Sequence, residues 1–194
     1  MQRFACTFCS MLLVMLMFMA QPAAAASPAP AQDNHWAVLT GYGYCQPGWG
    51  LTKVRVETLD LVLRRDLVLT DTMGSSWYRG YHSLLLEAPL YLVITPDVGP
   101  MFGLNFLANY TFSASDRHRP YIFAGGGPVY NTADIPGMGS DLNGNYQFGL
   151  GWKYRMNCGQ DLLFEYRFHH ISNAGTKDPN DPLNSSKFMI GVTF

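Results

Sequence analysis

Residues 146–154 read Tyr146-Gln147-Phe148-Gly149-Leu150-Gly151-Trp152-Lys153-Tyr154. Every second residue is large and apolar or aromatic, and the residues between are Gln, Gly, Gly and Lys. A period of two puts those sets on opposite faces of a β-strand. The same alternation recurs to either side. Phe102, Leu104, Phe106, Ala108, Tyr110 and Phe112 form one set, with Leu107 the exception between them. Leu162, Phe164, Tyr166 and Phe168 form another, alternating with Glu165, Arg167 and His169.

A soluble β-sandwich would also alternate, so the question is which face meets solvent. Three features favour lipid outside. Aromatic residues crowd the strand ends (Trp36, Tyr42, Tyr44, Tyr110, Phe112, Tyr121 and Tyr154), as in the interfacial girdles of membrane barrels. Glycine and polar residues fill the other face, as a narrow polar lumen requires. The chain closes on Phe188-Met189-Ile190-Gly191-Val192-Thr193-Phe194, an ending that resembles the assembly signal of bacterial outer-membrane barrels. The fold expected is all-β: an eight-stranded antiparallel outer-membrane β-barrel of a Gram-negative bacterium. Its strands are expected near 35–45, 52–64, 79–94, 101–113, 119–131, 143–156, 160–172 and 186–194, with Asp134–Asn145 a longer surface loop.

The N-terminus agrees with that compartment. Gln2 and Arg3 precede an apolar run from Phe4 to Ala20, then Gln21-Pro22 and Ala23-Ala24-Ala25-Ala26. This order of basic start, apolar centre and small residues reads as a signal peptide over 1–26, cut after Ala26. Residues 27–34 (Ser-Pro-Ala-Pro-Ala-Gln-Asp-Asn) read as a flexible leader, and 35–194 as one domain. Cleavage would remove Arg3 from the 13 basic residues and none of the 14 acidic ones, leaving a net charge near −2. No basic patch supports nucleic-acid binding. Cys6 and Cys9 would leave with the signal peptide; Cys45 and Cys158 remain, free or paired, and have no zinc-like spacing. No cofactor motif is present, and no metal is expected.

Chemistry concentrates in Phe168-His169-His170-Ile171-Ser172-Asn173-Ala174-Gly175-Thr176-Lys177-Asp178-Pro179-Asn180-Asp181-Pro182-Leu183-Asn184. His170 and Ser172 lie two apart on a strand and therefore share a face. Parity with Phe164, Tyr166 and Phe168 makes that the lipid-facing side. A polar pair there is costly in hydrocarbon and needs a reason: one is a substrate arriving through the membrane plane, the other a place in the wet interfacial zone with no chemical role. If both termini of an even barrel are periplasmic, the seventh strand runs outward and ends at Ser172 beside the outer leaflet. Serine needs a base to become a nucleophile, and His170 is placed to be it. Asn173, the backbone around Ala174-Gly175, and Asn180 are the candidate oxyanion donors. His169 falls on the lumen face beside Glu165 and Arg167, where a packing role is expected, as it is for Glu87.

The His170-Ile171-Ser172-Asn173-Ala174-Gly175 run followed by Pro179-Asn180 resembles the lipid A 3-O-deacylase (PagL-type, acyloxyacyl hydrolase) family of outer-membrane enzymes. The close match spans about residues 170–184. The resemblance implies a serine esterase that removes the 3-O-linked acyl chain of lipid A, with lipopolysaccharide in the outer leaflet as partner; oligomeric state is open, a homodimer being one option. It also exposes a departure. Where the family's triad has its acid, fourteen residues after the histidine, this chain has Asn184. An amide oxygen can orient a histidine but supplies no charge. Asp181 and Asp178 are the alternative acids. Two competing functions stand beside the esterase. One is a non-enzymatic barrel with a degenerate site that is structural, lipopolysaccharide-binding or adhesive. The other is a soluble lipocalin-like carrier, disfavoured by Phe194 and the outward aromatics.

Overall fold

The computed structural model describes residues 34–194, so the expected signal peptide and all of the expected leader except Asn34 lie outside the described residues. Period-two patterning yields strands β1 (His35–Cys45), β2 (Val56–Val68), β3 (Gly80–Thr95), β4 (Gly99–Gly103), β5 (Asn105–Phe112), β6 (His118–Asn131), β7 (Leu142–Arg155), β8 (Asp161–Ser172) and β9 (Leu183–Thr193). β4 and β5 are one stave interrupted at Leu104, because both pair with β3 on one side and β6 on the other. β1 pairs with β2 and with β9, and β2 pairs with β3, so eight antiparallel staves close on themselves. Closure satisfies the backbone groups that an open sheet would expose at its edges.

The faces fall as the alternation demands. Tyr146, Phe148, Phe106, Phe164, Phe188 and Ile190 are exposed on the exterior, whereas Gln147, Glu165, Arg167 and His169 are buried in the lumen. An apolar exterior around a polar interior is the inverse of a soluble barrel. The lumen is packed rather than hollow. Arg64 and Arg167 each bridge Glu87 and Glu165: Arg64 Nη2 lies 2.6 Å from Glu87 Oε1, Arg64 Nη1 2.6 Å from Glu165 Oε1, and Arg167 Nη1 2.9 Å from Glu87 Oε2. Arg167 also pairs with Glu165, to which Tyr121 donates its hydroxyl. Two cations against two anions leave this buried layer neutral, the condition under which buried charge is tolerated. Beyond it, Lys187 Nζ meets Asp60 at 2.7 Å and Lys153 Nζ meets Asp66 at 2.8 Å.

Tyr121 corrects one expectation. Read as a girdle aromatic, it is instead a buried lumenal residue. Its ring and that of Phe123 lie over Gly151 and Gly149, their direct cross-strand partners on β7. A Cβ on Gly151 would stand 2.2 Å from the Tyr121 ring, and one on Gly149 2.5 Å from Phe123. The glycines in the 146–154 stretch thus make room for aromatic rings inside the barrel.

The barrel end opposite the termini carries the segments 46–55, 96–98, 132–141 and 173–182. Strand bounds shift there. β2 starts at Val56, not at residue 52, because Gly48 and Gly50 take positive φ and turn the chain before it enters the sheet. β9 starts at Leu183, extended by pairing of Ile171 with Leu183 and His170 with Asn184. The expected loop over Asp134–Asn145 ends earlier, since β7 resumes at Leu142. Ala133 and Ile135, from the segment between β6 and β7, join Ile171 and Leu183 in an apolar cluster beneath the mouth. Cys45, buried at this end of β1, and Cys158, exposed in the β7–β8 turn at the other end, are free thiols rather than a disulfide.

Candidate active site

β8 delivers His170 and Ser172 to the exterior face, at the end opposite the termini, and β9 delivers Asn184 directly across from His170. His170 Nδ1 lies 2.8 Å from Asn184 Oδ1, and His170 Nε2 lies 3.1 Å from Ser172 Oγ. Both ring nitrogens are therefore engaged, one by an amide and one by the hydroxyl. Asn184 Nδ2 donates to the Trp49 carbonyl at 3.0 Å. A carbonyl only accepts, so this bond fixes which end of the amide is nitrogen. Oδ1 then faces His170 and must receive a proton from Nδ1. A neutral imidazole is thereby held as the Nδ1–H tautomer, with Nε2 bare and directed to Ser172. A general base acting on the serine needs that arrangement.

The segment after Ser172 is ordered by Asn173. Its Nδ2 donates to Lys177 O at 2.6 Å, its Oδ1 accepts from Gly175 N at 2.9 Å, and its N–H donates to Asn180 Oδ1 at 2.9 Å. Asn173 and Gly175 therefore satisfy each other within the turn. The Ala174 N–H and Asn180 Nδ2 are among the donors of this segment that reach no protein acceptor among the described residues. Ala174 has φ +55, a conformation costly for a residue with a side chain. Gly175 has φ +75, and a Cβ added there would meet nothing within 4 Å.

Asp181 sits beside Lys53, 2.7 Å from its Nζ, and its N–H donates to Gly137 O at 2.9 Å. Asp178 is exposed in the same loop. The histidine's partner is Asn184, not either aspartate. His169, the neighbour of His170, is fully buried on the lumen face against Tyr91, and Glu87 is part of the lumenal charge layer.

The apolar surroundings of the relay are aromatic. Tyr146, the β7 partner of His170, stacks on its ring with centroids 4.4 Å apart. Phe168 lies one position further from the rim on the same face, with Phe148 5.1 Å and Trp49 5.3 Å from it, centroid to centroid. Trp49 and Thr52 escaped the sequence reading. Their contact with Asn184 spans more than a hundred residues of chain, and Thr52, at the start of an expected strand, lies instead in the β1–β2 loop. The only local sign is an aromatic residue between two glycines, Gly48-Trp49-Gly50.

A closed barrel with an apolar exterior, bearing serine, histidine and amide side chains in contact on its lipid-facing rim, is an outer-membrane β-barrel. More narrowly, the chain belongs to the lipid A 3-O-deacylase (PagL) family, whose profile matches residues 65–193. The crystal structure of the outer-membrane enzyme PagL superposes with a TM-score of 0.58 at 20% identity, covering 82% of this chain and 98% of that one. The crystal structure of Neisserial surface protein A gives a TM-score of 0.62 at 15% identity, covering 82% and 95% respectively. At such identities both likenesses establish the fold. No curated protein sequence matches the chain.

Proposed function

We propose that this protein is a serine esterase of the outer membrane that hydrolyses the 3-O-linked acyl ester of lipid A. The observation that carries the reading is the directed contact from Ser172 through His170 to Asn184 on the lipid-facing side of the rim. A non-enzymatic barrel has no need of a polar relay against lipid, where it costs stability.

In this mechanism Ser172 Oγ attacks the ester carbonyl while His170 Nε2 takes its proton. The imidazolium keeps its Nδ1–H on Asn184 Oδ1. Negative charge on the tetrahedral oxygen would be met by the Ala174 N–H and Asn180 Nδ2, donors in the turn that follows Ser172. Collapse breaks the bond to the sugar oxygen, which takes the proton from Nε2 and leaves as the 3-hydroxyl. Water then adds to the acyl-serine, giving its proton to His170, and the fatty acid departs as Ser172 recovers its hydrogen. Phe168, Phe148 and Trp49 supply an apolar shelf for the acyl chain, further along the exterior face from His170.

Mass spectrometry of lipid A from cells with and without the protein tests the reading. The expected product has lost one hydroxylated acyl chain from the 3-position. Identical lipid A in both, with the protein present in the outer membrane, would remove the esterase and leave a barrel with a degenerate site.

A further inference from the structure

Hydrogen bonds around Asn184 form a chain whose direction is fixed at its far end. The Thr52 hydroxyl donates to Pro182 O at 3.0 Å, and that uses its only proton. Its oxygen can then only accept. It does so twice from Asn184, from the backbone N–H at 3.0 Å and from Nδ2 at 3.1 Å. The second Nδ2 hydrogen goes to Trp49 O at 3.0 Å. Every nitrogen-bound hydrogen of Asn184 is thus spoken for by the loop between β1 and β2, and only Oδ1 is left for His170. Thr52 and Asn184 are both buried, so no solvent substitutes for these partners. Gly50 closes the same pocket. It has φ +61, and a Cβ there would stand 2.9 Å from Asn184 Nδ2.

We infer that Thr52 and the Trp49 carbonyl are positioning groups that lock the Asn184 amide with its oxygen toward His170, and so set the tautomer on which the Ser172 base depends. The inference rests on the esterase reading for its catalytic consequence, but the lock itself does not. A released amide can rotate by half a turn and offer Nδ2 to His170 Nδ1. The ring proton then moves to Nε2, which cannot accept from Ser172. An aspartate at 184 would not fit the lock either, because an acceptor-only group would face the Trp49 carbonyl.

The test uses the full-length barrel in detergent micelles with ¹⁵N-labelled histidine, and assigns His170 by difference against His170→Gln. Wild type is expected to carry its ring proton on Nδ1. Thr52→Val, which keeps shape and removes the hydroxyl, is expected to move population to the Nε2–H form. It should lower kcat for lipid A by at least about tenfold, toward the ~10⁴ that a wrong tautomer costs a serine triad, with KM little changed. Thr52→Ser should restore both. Gly50→Ala disturbs the amide from the other side and should shift the tautomer the same way. An Nε2–H ring in wild type overturns the inference without any variant, which decides the matter even if Thr52→Val does not fold. An unchanged tautomer and kcat in folded Thr52→Val also overturns it. If wild type shows no hydrolysis but the tautomer responds as expected, the esterase reading fails and the lock stands.

Discussion

The Tyr146 ring lies parallel to the His170 imidazole, with centroids 4.4 Å apart and planes inclined by 19°. The two residues are direct partners across β7 and β8 on the lipid-facing side. The stack confines the ring plane of His170, and its π-face stands over an imidazole that the proposed mechanism makes cationic. A ring in that position favours the cation by about 0.5–2 kcal/mol. Tyr146→Ala is therefore expected to lower kcat between about twofold and thirtyfold, and Tyr146→Phe, which keeps the ring, to stay near wild type. Steady-state deacylation of lipid A in mixed micelles measures both. Equal losses in the two variants would show that the hydroxyl, not the ring, is what matters.

Ser172→Ala and His170→Ala should each remove the release of hydroxylated fatty acid almost wholly. In a serine triad, losing either the nucleophile or the base costs about 10⁶ in turnover. Both side chains sit outside the packed lumen, so neither variant opens a cavity. The heat-modifiable gel mobility of a folded barrel should be unchanged. Wild-type activity in Ser172→Ala would withdraw the nucleophile assignment and with it the mechanism.

The third position separates orientation from charge. Asn184→Ala removes the acceptor for the Nδ1–H and is expected to lower kcat by about 10²–10⁴. Asn184→Asp supplies charge but loses both Nδ2 donors, and it should fall below wild type as well. Asp181→Asn breaks only a pair with the exposed Lys53, worth about 0–1 kcal/mol, and Asp178→Asn should be silent. Deacylation rates for these four variants give the answer. Severe loss in either aspartate variant with a silent Asn184→Ala would mean that the loop refolds in the membrane to bring an acid to His170.

In the lumen, Arg167→Ala would strand Glu87 and Glu165 without one of their two cations. Breaking a buried pair by removing one partner costs about 3–5 kcal/mol, far more than replacing both partners with apolar groups. The expected result is a marked fall in the temperature at which the gel band shifts. Combining Arg167→Met with Glu165→Gln should recover much of it. If Arg167→Ala melts like wild type, the charged layer does not carry the stability of the barrel.

The faces of the barrel were legible because period two survives in single strands such as 146–154, and burial on one side follows from parity alone. That parity also placed His170 and Ser172 together on the lipid-facing side. Tyr121 was misplaced because β6 offers apolar residues on both faces: Ile122 and Ala124 point out while Tyr121 and Phe123 point in. Composition cannot tell such faces apart; the glycines opposite, Gly149 and Gly151, are what settle them. The Asn184–His170 contact was readable as a loop returning beside its own strand. Thr52 and Trp49 were not, because their contacts with Asn184 join opposite ends of the chain and involve a carbonyl that no side chain announces.

Gly144 gives the most direct test of how substrate reaches the serine. It is the β7 partner of Ser172 on the same outward face, and a Cβ there would meet only Ser172 O, at 3.8 Å. The flank of Ser172 is open on that side because residue 144 has no side chain, and its φ is not one that requires glycine. A side chain can therefore be added without backbone strain, on a surface that tolerates apolar groups. Gly144→Ala should fold normally and alter activity little. Gly144→Leu should also fold, yet fill the approach to Ser172 from β7 and reduce kcat/KM for lipid A by ten- to a hundredfold, the effect of a misplacement of about 1 Å at a reacting centre. A small water-soluble ester, which needs no long chain laid across the barrel wall, should lose much less. Measuring both substrates on the two variants separates obstruction from damage to the relay. If Gly144→Leu hydrolyses lipid A as wild type does, substrate enters from the β9 side, across Trp49, and the open flank at Gly144 has no part in its path.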